Sequence, residues 1–225
     1  MNKIIIWAYL YIFTFMALLS NVANGMVSFK YGAVQGRAEK NDTGVSDSFL
    51  LNSESQYELA YRMNSRKSWT WGASFLSRSI SGKNNTKTFD NDSGSDTKFD
   101  LYLSMVNRKG LFFKLGAVSV QRSIFVESNS IVNLEQVEGA SWFLSVGSFY
   151  TTKYGGGEIE FEYTDIPSAS IKERSISGSE LKFEMDLMLG KKQNFGVFFQ
   201  YINENLSGDY DYIRDFRVIG IKFKY

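Results

Sequence analysis

Leu181-Lys182-Phe183-Glu184-Met185-Asp186-Leu187-Met188-Leu189 decides the fold. Leu181, Phe183, Met185, Leu187 and Leu189 are interleaved with Lys182, Glu184, Asp186 and Met188. In an extended strand successive side chains point to opposite faces, so this stretch carries one greasy face and one charged face. The rhythm spreads outward from it. Ile159, Phe161 and Tyr163 alternate with Glu158, Glu160 and Glu162, and Phe99, Leu101, Leu103 and Met105 alternate with Lys98, Asp100, Tyr102 and Ser104. After Gly25 no stretch carries a 3.6-residue apolar stripe, which leaves strands as the building unit. Ten such segments are predicted, at about 27–38, 51–62, 68–79, 97–107, 111–123, 140–150, 157–166, 179–190, 195–205 and 214–225. Each is near the ~9–11 residues that a tilted strand needs to cross a bilayer. Eight strands is the alternative count.

The connections sort by length. Met63–Lys67, Arg108–Gly110, Thr151–Gly156 and Lys191–Asn194 are short. They alternate strictly with the longer Glu39–Leu50, Ile80–Asp96, Ile124–Gly139, Pro167–Gly178 and Leu206–Ile213. Hairpins stitched through a membrane give this parity, with tight turns on one side and large loops on the other. A soluble sandwich has no reason to sort its loops that way. The predicted class is therefore all-β: an antiparallel up-and-down transmembrane barrel with short periplasmic turns and long outer loops.

In this phase the lipid-facing set is Val27, Phe29, Tyr31 and Ala33; Tyr57, Leu59 and Tyr61; Trp69, Trp71, Ala73 and Phe75; Phe113, Leu115 and Ala117; Phe195, Val197, Phe199 and Tyr201; and Ile219, Ile221, Phe223 and Tyr225. The lumen receives Lys30, Glu58, Arg62, Lys98, Asp100, Lys114, Arg122, Glu158, Glu160, Glu162, Glu180, Lys182, Glu184, Asp186, Lys222 and Lys224. Charge against lipid at the midplane costs about 2–4 kcal/mol for Arg or Lys, whereas a lumen accepts it. Aromatics at the strand ends fit two interfacial girdles. One holds Tyr61, Trp69, Trp71, Phe113, Tyr150 and Phe195; the other holds Phe75, Phe99, Trp142, Tyr163 and Tyr201.

Composition narrows the chemistry. The 225 residues include neither Cys nor His. Disulfide scaffolds, zinc-thiolate sites and thiol catalysis are excluded, as are Ser-His-Asp mechanisms and His-ligated metal or haem. A formal charge of +1 gives no bulk attraction to nucleic acid. At the N-terminus Lys3 precedes an apolar run from Ile4 to Leu19, then Ala23-Asn24-Gly25. A basic start, an apolar middle and a small-x-small end predict an export signal over residues 1–25, leaving 26–225 as the barrel domain.

The last residues, Arg217-Val218-Ile219-Gly220-Ile221-Lys222-Phe223-Lys224-Tyr225, end on an aromatic with apolar residues at alternate positions. This resembles the C-terminal strand of bacterial outer-membrane β-barrel proteins, small and about ten-stranded. Ile219, Ile221, Phe223 and Tyr225 fit the pattern and Arg217 breaks it. The resemblance implies recognition by the barrel-assembly machinery, a Gram-negative outer membrane, and contact with its lipid and lipopolysaccharide. It names no member. The barrel proteases and lipid-modifying barrels of that class depend on His, which this chain lacks.

Two constellations remain. Glu158, Glu160, Glu162, Glu180, Glu184 and Asp186 read either as an acid/base site or as a lumen network paired with Lys30, Lys114, Arg122, Lys182 and Lys222; buried charges need partners, which favours the network. Asp90, Asp92 and Asp96 resemble the start of a calcium loop, but an EF-hand would need Glu at the position that Leu101 occupies. No catalytic residue and no cofactor is assigned. The functional expectation is a non-enzymatic surface barrel whose loops bind an external partner in the manner of an adhesin, or which serves structure. The alternatives are a narrow, porin-like pore for small solutes and, more remotely, a His-free hydrolase.

Overall fold

The computed structural model of the chain describes residues 25–42, 45–52, 55–63, 69–83, 88–91, 93–128, 131–171, 174–190, 192–208 and 211–225. The predicted leader lies outside them except for Gly25, which opens β1. Twelve strands run through the described residues: β1 (Gly25–Asp42), β2 (Val45–Asn52), β3 (Gln56–Met63), β4 (Trp69–Lys83), β5 (Thr88–Asn91), β6 (Ser93–Val106), β7 (Leu111–Ser128), β8 (Ile131–Thr152), β9 (Gly155–Ile171), β10 (Arg174–Leu189), β11 (Phe195–Gly208) and β12 (Asp211–Lys224). β2 and β3 are two pieces of one stave, both antiparallel to β1 and both paired to β4. β5 stands off the ring and pairs in parallel with β8. The remaining neighbours are antiparallel, and β12 pairs with β1 from Ser28↔Lys224 to Asn41↔Asp211, which closes ten staves into a barrel.

The register fixes the stagger. A walk at right angles to the strands from Gly139 on β8 passes Val120, Lys98, Leu76, Glu58, Lys30, Lys222, Gly196, Met188 and Gly156. It returns to β8 at Thr151, 12 residues along (151 minus 139). Strands staggered in this way must tilt, typically by about 35–45°, and a barrel of this size has an interior that side chains can fill.

The described short turns lie at one end: Asn107–Gly110, Lys153–Tyr154, and Gly190 with 192–194. Asn107 Oδ1 accepts from the backbone N–H of Lys109 and of Leu111, each at 2.9 Å, which replaces the ladder bonds lost in the turn. Gly110 follows at φ 84°, a conformation that costs glycine least. The long connections at the other end are built as strands. β7 and β8 stay paired from Leu111↔Ser148 up to Ser128↔Ile131, through the segment expected as the loop Ile124–Gly139. β1–β2 likewise continue in register to Asp42↔Val45, and β9–β10 stay paired to Arg174↔Ile171 across a register shift between Ile176 and Gly178. The large outer connections are thus mostly prolonged hairpins.

The predicted phase holds around the ring. Tyr31, Trp69, Trp71, Phe99, Leu101, Leu103, Phe113, Leu115, Phe161, Leu181, Leu187, Val197, Ile219 and Ile221 are exposed, on a surface that is apolar in every direction. On β10 the apolar row runs from Leu181 to Leu189; at a rise of about 3.4 Å per residue and a tilt of about 40° it spans roughly 20 Å, near the ~25 Å band of an outer-membrane barrel. Trp69, Trp71, Phe113, Tyr150 and Phe195 of one girdle and Phe99, Trp142 and Tyr201 of the other are exposed, while Phe75 and Tyr163 are half-buried. Trp142 packs on Tyr163 at 5.6 Å between centroids, and Phe195 on Phe223 at 5.3 Å. Val27, Leu59, Tyr61 and Ala73 share the outward register but are buried. Neighbours cover them: Tyr61 stacks against Trp71 at 5.1 Å, and Val27, Leu59 and Met63 pack beside it.

Candidate functional site: a charged and closed lumen

Alternation delivers every second side chain of ten staves into one tube. Lys30, Glu58, Lys98, Asp100, Arg122, Glu158, Glu160, Glu162, Glu180, Glu184, Asp186 and Lys222 are all buried there. The acids sit mainly on β9 and β10, and the cations reach them from β1, β6, β7 and β12. Lys98 on β6 spans the lumen to Glu162 at 2.5 Å and Glu180 at 2.9 Å, and also donates to Thr164. Lys182 meets the other oxygen of Glu162 at 3.0 Å. Lys30 lies 3.0 Å from Glu58 and in direct contact with Glu184. Lys222 pairs with Asp186, and Lys114 reaches both oxygens of Glu160 at 2.7 Å with Glu158 at 3.9 Å. Gln200 joins the pieces by donating to Glu184 and Glu58 while accepting from Gln56 at 2.6 Å. These contacts place nine of the ten residues named from sequence side by side, and the tenth, Arg122, lies in the adjoining layer.

The tightest layer lies nearer the long hairpins and is built on Arg214, which is 0% exposed. Its guanidinium pairs with Glu204, lies 3.0 Å from Asp96, and donates to the Ser123 carbonyl at 2.7 Å. Arg122 joins Glu180 at 2.5 Å and Glu204 at 3.0 Å, and Arg78 stands 3.8 Å from Asp96 while donating to Gln56. The Phe216 ring lies against two of these cations, 4.0 Å from the Arg78 guanidinium and 5.3 Å from that of Arg214. Arginine suits this place because its planar fork satisfies several acceptors without water. Arg78, Glu204 and Arg214 were not singled out from sequence. Their parity would have found them, since Glu204 follows Gln200 and Ile202 on the inward row and Arg214 precedes Phe216.

This layer also corrects the calcium reading. Asp96 is buried, accepts from the Ser123 N–H at 2.7 Å and faces Arg214 and Arg78, so its oxygens are committed to cations of the protein. The side chains of Asp90 and Asp92 lie outside the described residues. Among the described residues no group of three acidic or other ligand side chains is placed to hold a metal ion.

Around the arginine layer the inward wall turns apolar. The cluster brackets the arginine layer: Val34, Ile202, Phe216 and Val218 lie on its short-turn side, and Leu51, Ile80, Ile124, Leu206 and Tyr212 lie toward the long hairpins, with Val132 and Leu134 from the β7–β8 hairpin. Inward aromatics fit because glycines face them: a Cβ on Gly36 would come within 2.7 Å of the Phe216 ring. Below the arginines, toward the short turns, a cavity of about 60 Å³ remains between Lys30, Glu58, Asp100, Lys114, Glu160 and Lys182. It has room for a few waters and no more.

A closed antiparallel ring with an apolar exterior and an ion-paired interior is the architecture of the outer-membrane β-barrels. No family model and no curated protein matches the chain. Solved barrels of the class are similar to it: the attachment invasion locus protein Ail of Yersinia pestis, at 13% identity over 89% of this chain and 99% of that one, with a TM-score of 0.34. An outer-membrane channel of Pseudomonas putida F1 is similar at 11% identity over 89% and 94%, with a TM-score of 0.48. The β domain of the Bordetella autotransporter BrkA is similar at 9% over 89% and 99%, with a TM-score of 0.45. At these values the class rests on the closure and the two faces of this ring itself.

Proposed function

We propose that the chain is exported, assembles in the outer membrane as an occluded barrel, and serves as a non-enzymatic surface protein whose long hairpins recognise an external partner or reinforce the envelope. One observation carries the reading: the lumen is filled by the Arg214–Glu204–Asp96 layer and the apolar cluster packed around it. A conducting pore needs a continuous wet path, and this tube is filled by its own side chains. Glu158, Glu160, Glu162, Glu180, Glu184 and Asp186, the acids a hydrolase reading would draw on, are each engaged by lysine or arginine. In the planar bilayer the reading predicts no steady single-channel steps. Sustained conductance of the intact barrel would hand the assignment to the narrow-pore alternative.

Recognition is tested at the β7–β8 hairpin. Ile124, Val132 and Leu134 belong to the interior cluster, so they are not available to a partner. Replacing only residues 125–131 by Gly-Ser-Gly spares them. The barrel is expected to stay heat-modifiable on gels while cell-surface adhesion falls. Unchanged adhesion would leave the structural role. For assembly, Phe223→Ser with Tyr225→Ser is expected to lower barrel abundance severalfold. It removes the Phe195–Phe223 contact and the terminal pattern formed with Ile219 and Ile221.

A further inference from the structure

Arg217 interrupts the closing strand's outward row, and its surroundings give a reason. Above Ile219 the next outward residue on β12 is Arg217, which is exposed and lies opposite Tyr201 on β11 and Gln35 on β1. Tyr201 belongs to the aromatic girdle, so the guanidinium stands at headgroup depth. No carboxylate lies within ion-pair distance of Arg217 among the described residues, whereas Lys30, Lys98, Lys114, Arg122, Lys182, Arg214 and Lys222 in the lumen are all paired. The nearby acid is already used: Asp215 accepts from Tyr201 Oη at 3.0 Å and Asn203 Nδ2 at 2.7 Å, and lies 4.0 Å from Arg37. Arg37, on the neighbouring strand, is exposed and held by Glu39 at 3.2 Å. Between the two arginines runs a groove of about 290 Å³ with Gln35, the already engaged Asp215 and exposed Leu50 on its walls.

We infer that this groove binds the phosphate of an outer-leaflet glycolipid, with Arg217 as its principal ligand, Arg37 flanking it and Leu50 against the apolar part of the same molecule. The chemistry is that of interfacial arginines: a planar cation at headgroup depth with no protein partner gains most from a lipid phosphate. The inference rests on the membrane reading, with the long hairpins in the outer leaflet.

The test titrates purified, folded barrel in dodecyl maltoside with diphosphorylated lipid A or its dephosphorylated form, counting bound lipid by native mass spectrometry. Heat-modifiable migration reports separately that each variant is a folded barrel, so failure of the membrane reading shows there first. The diphosphorylated lipid is expected to bind and its dephosphorylated form to bind far less. Arg217→Ala should weaken binding roughly fivefold and the double variant with Arg37→Ala up to about thirtyfold, since each surface arginine is worth about that step near anionic lipid. Arg217→Lys, which keeps the charge, should retain most of it. Arg108→Ala, at the short-turn end, should change nothing. Equal binding by the alanine variants, equal loss in Arg108→Ala, or full displacement by 10 mM inorganic phosphate (roughly the level at which a free-anion site fills) would each overturn the assignment.

Discussion

Along β11 the same alternation means opposite things at its two ends. Toward the short turns, Phe195, Val197, Phe199 and Tyr201 face out and the inward row holds Gln200. Past Tyr201 the outward row becomes Asn203, Asn205 and Ser207, and Ile202 and Leu206 turn inward into the apolar cluster. β12 changes in step, with Ile221 and Ile219 outward below and Arg217 and Asp215 above. One half of the barrel is therefore greasy outside and ion-paired within, while the other follows the ordinary rule of a water-soluble sheet. The strands are continuous through the change, so backbone pairing does not set it. The solvent on the outer face does: lipid penalises exposed charge, and water penalises exposed hydrocarbon.

The largest effect should come from the layer where the halves meet. Arg214→Leu removes the cation shared by Glu204, Asp96 and the Ser123 carbonyl, all in a site without water access. Breaking a buried pair from one side costs about 3–5 kcal/mol. Urea unfolding of the barrel in lipid vesicles measures it. Pairing the change with Glu204→Leu should restore part of the loss, because a buried ion pair replaced by apolar groups is often neutral. A loss below ~1 kcal/mol would mean that water reaches Arg214, and the seal proposed for the lumen would fail with it.

The lipid-facing half is probed next. Met185 lies in the middle of the outward row on β10, opposite Ile159 and Phe199. Met185→Arg is expected to cost about 2–4 kcal/mol, the penalty for arginine at the bilayer midplane. Glu184→Gln on the opposite face should cost less, since Lys30 keeps Glu58 at 3.0 Å and Gln200 can still bond an amide oxygen. If Glu184→Gln proved the more damaging, the inward and outward assignments of this strand would be reversed.

The two halves also differ in how legible they were. In the lower half the contrast between rows is charge against hydrocarbon, as in Phe183-Glu184-Met185-Asp186, and period two shows at a glance. The ten staves and the inward rows of charge could be read from it. In the upper half the outward rows are Asn, Ser and Gly, and the inward ones mix Ile202 with Glu204 and Tyr212 with Arg214. That composition reads as loop, so Ile124–Gly139 and Leu206–Ile213 were expected as loops although the structure pairs both as strands. Glu204 and Arg214 escaped notice for the same reason, although Arg122 and Glu180 of the same layer read as inward. Its members come from β4, β6, β7, β10, β11 and β12, and only closure of the ring brings them together. The apolar character of Val132 and Leu134 was visible, but whether they faced a partner or the interior depended on the hairpin's pairing.

The smallest effect should fall just past the change of face. Asn205 lies outward on β11, two outward positions beyond Tyr201, and is exposed between Ser179 and Ile213. Asn205→Arg introduces the same side chain as Met185→Arg, on a neighbouring strand and the same side of the sheet. If the bilayer ends at the Tyr201 girdle, the new guanidinium stands in water and stability should change by no more than about 0.5 kcal/mol, as for an ordinary surface substitution. Asn203 and Asp215 lie nearby, so any small shift should be toward stability at low salt and fade as salt rises. The ratio of the two arginine penalties then locates the lipid boundary along the strand. A penalty at Asn205 comparable to that at Met185 would put the boundary higher, and Arg217 would then lie inside the hydrocarbon rather than among the headgroups.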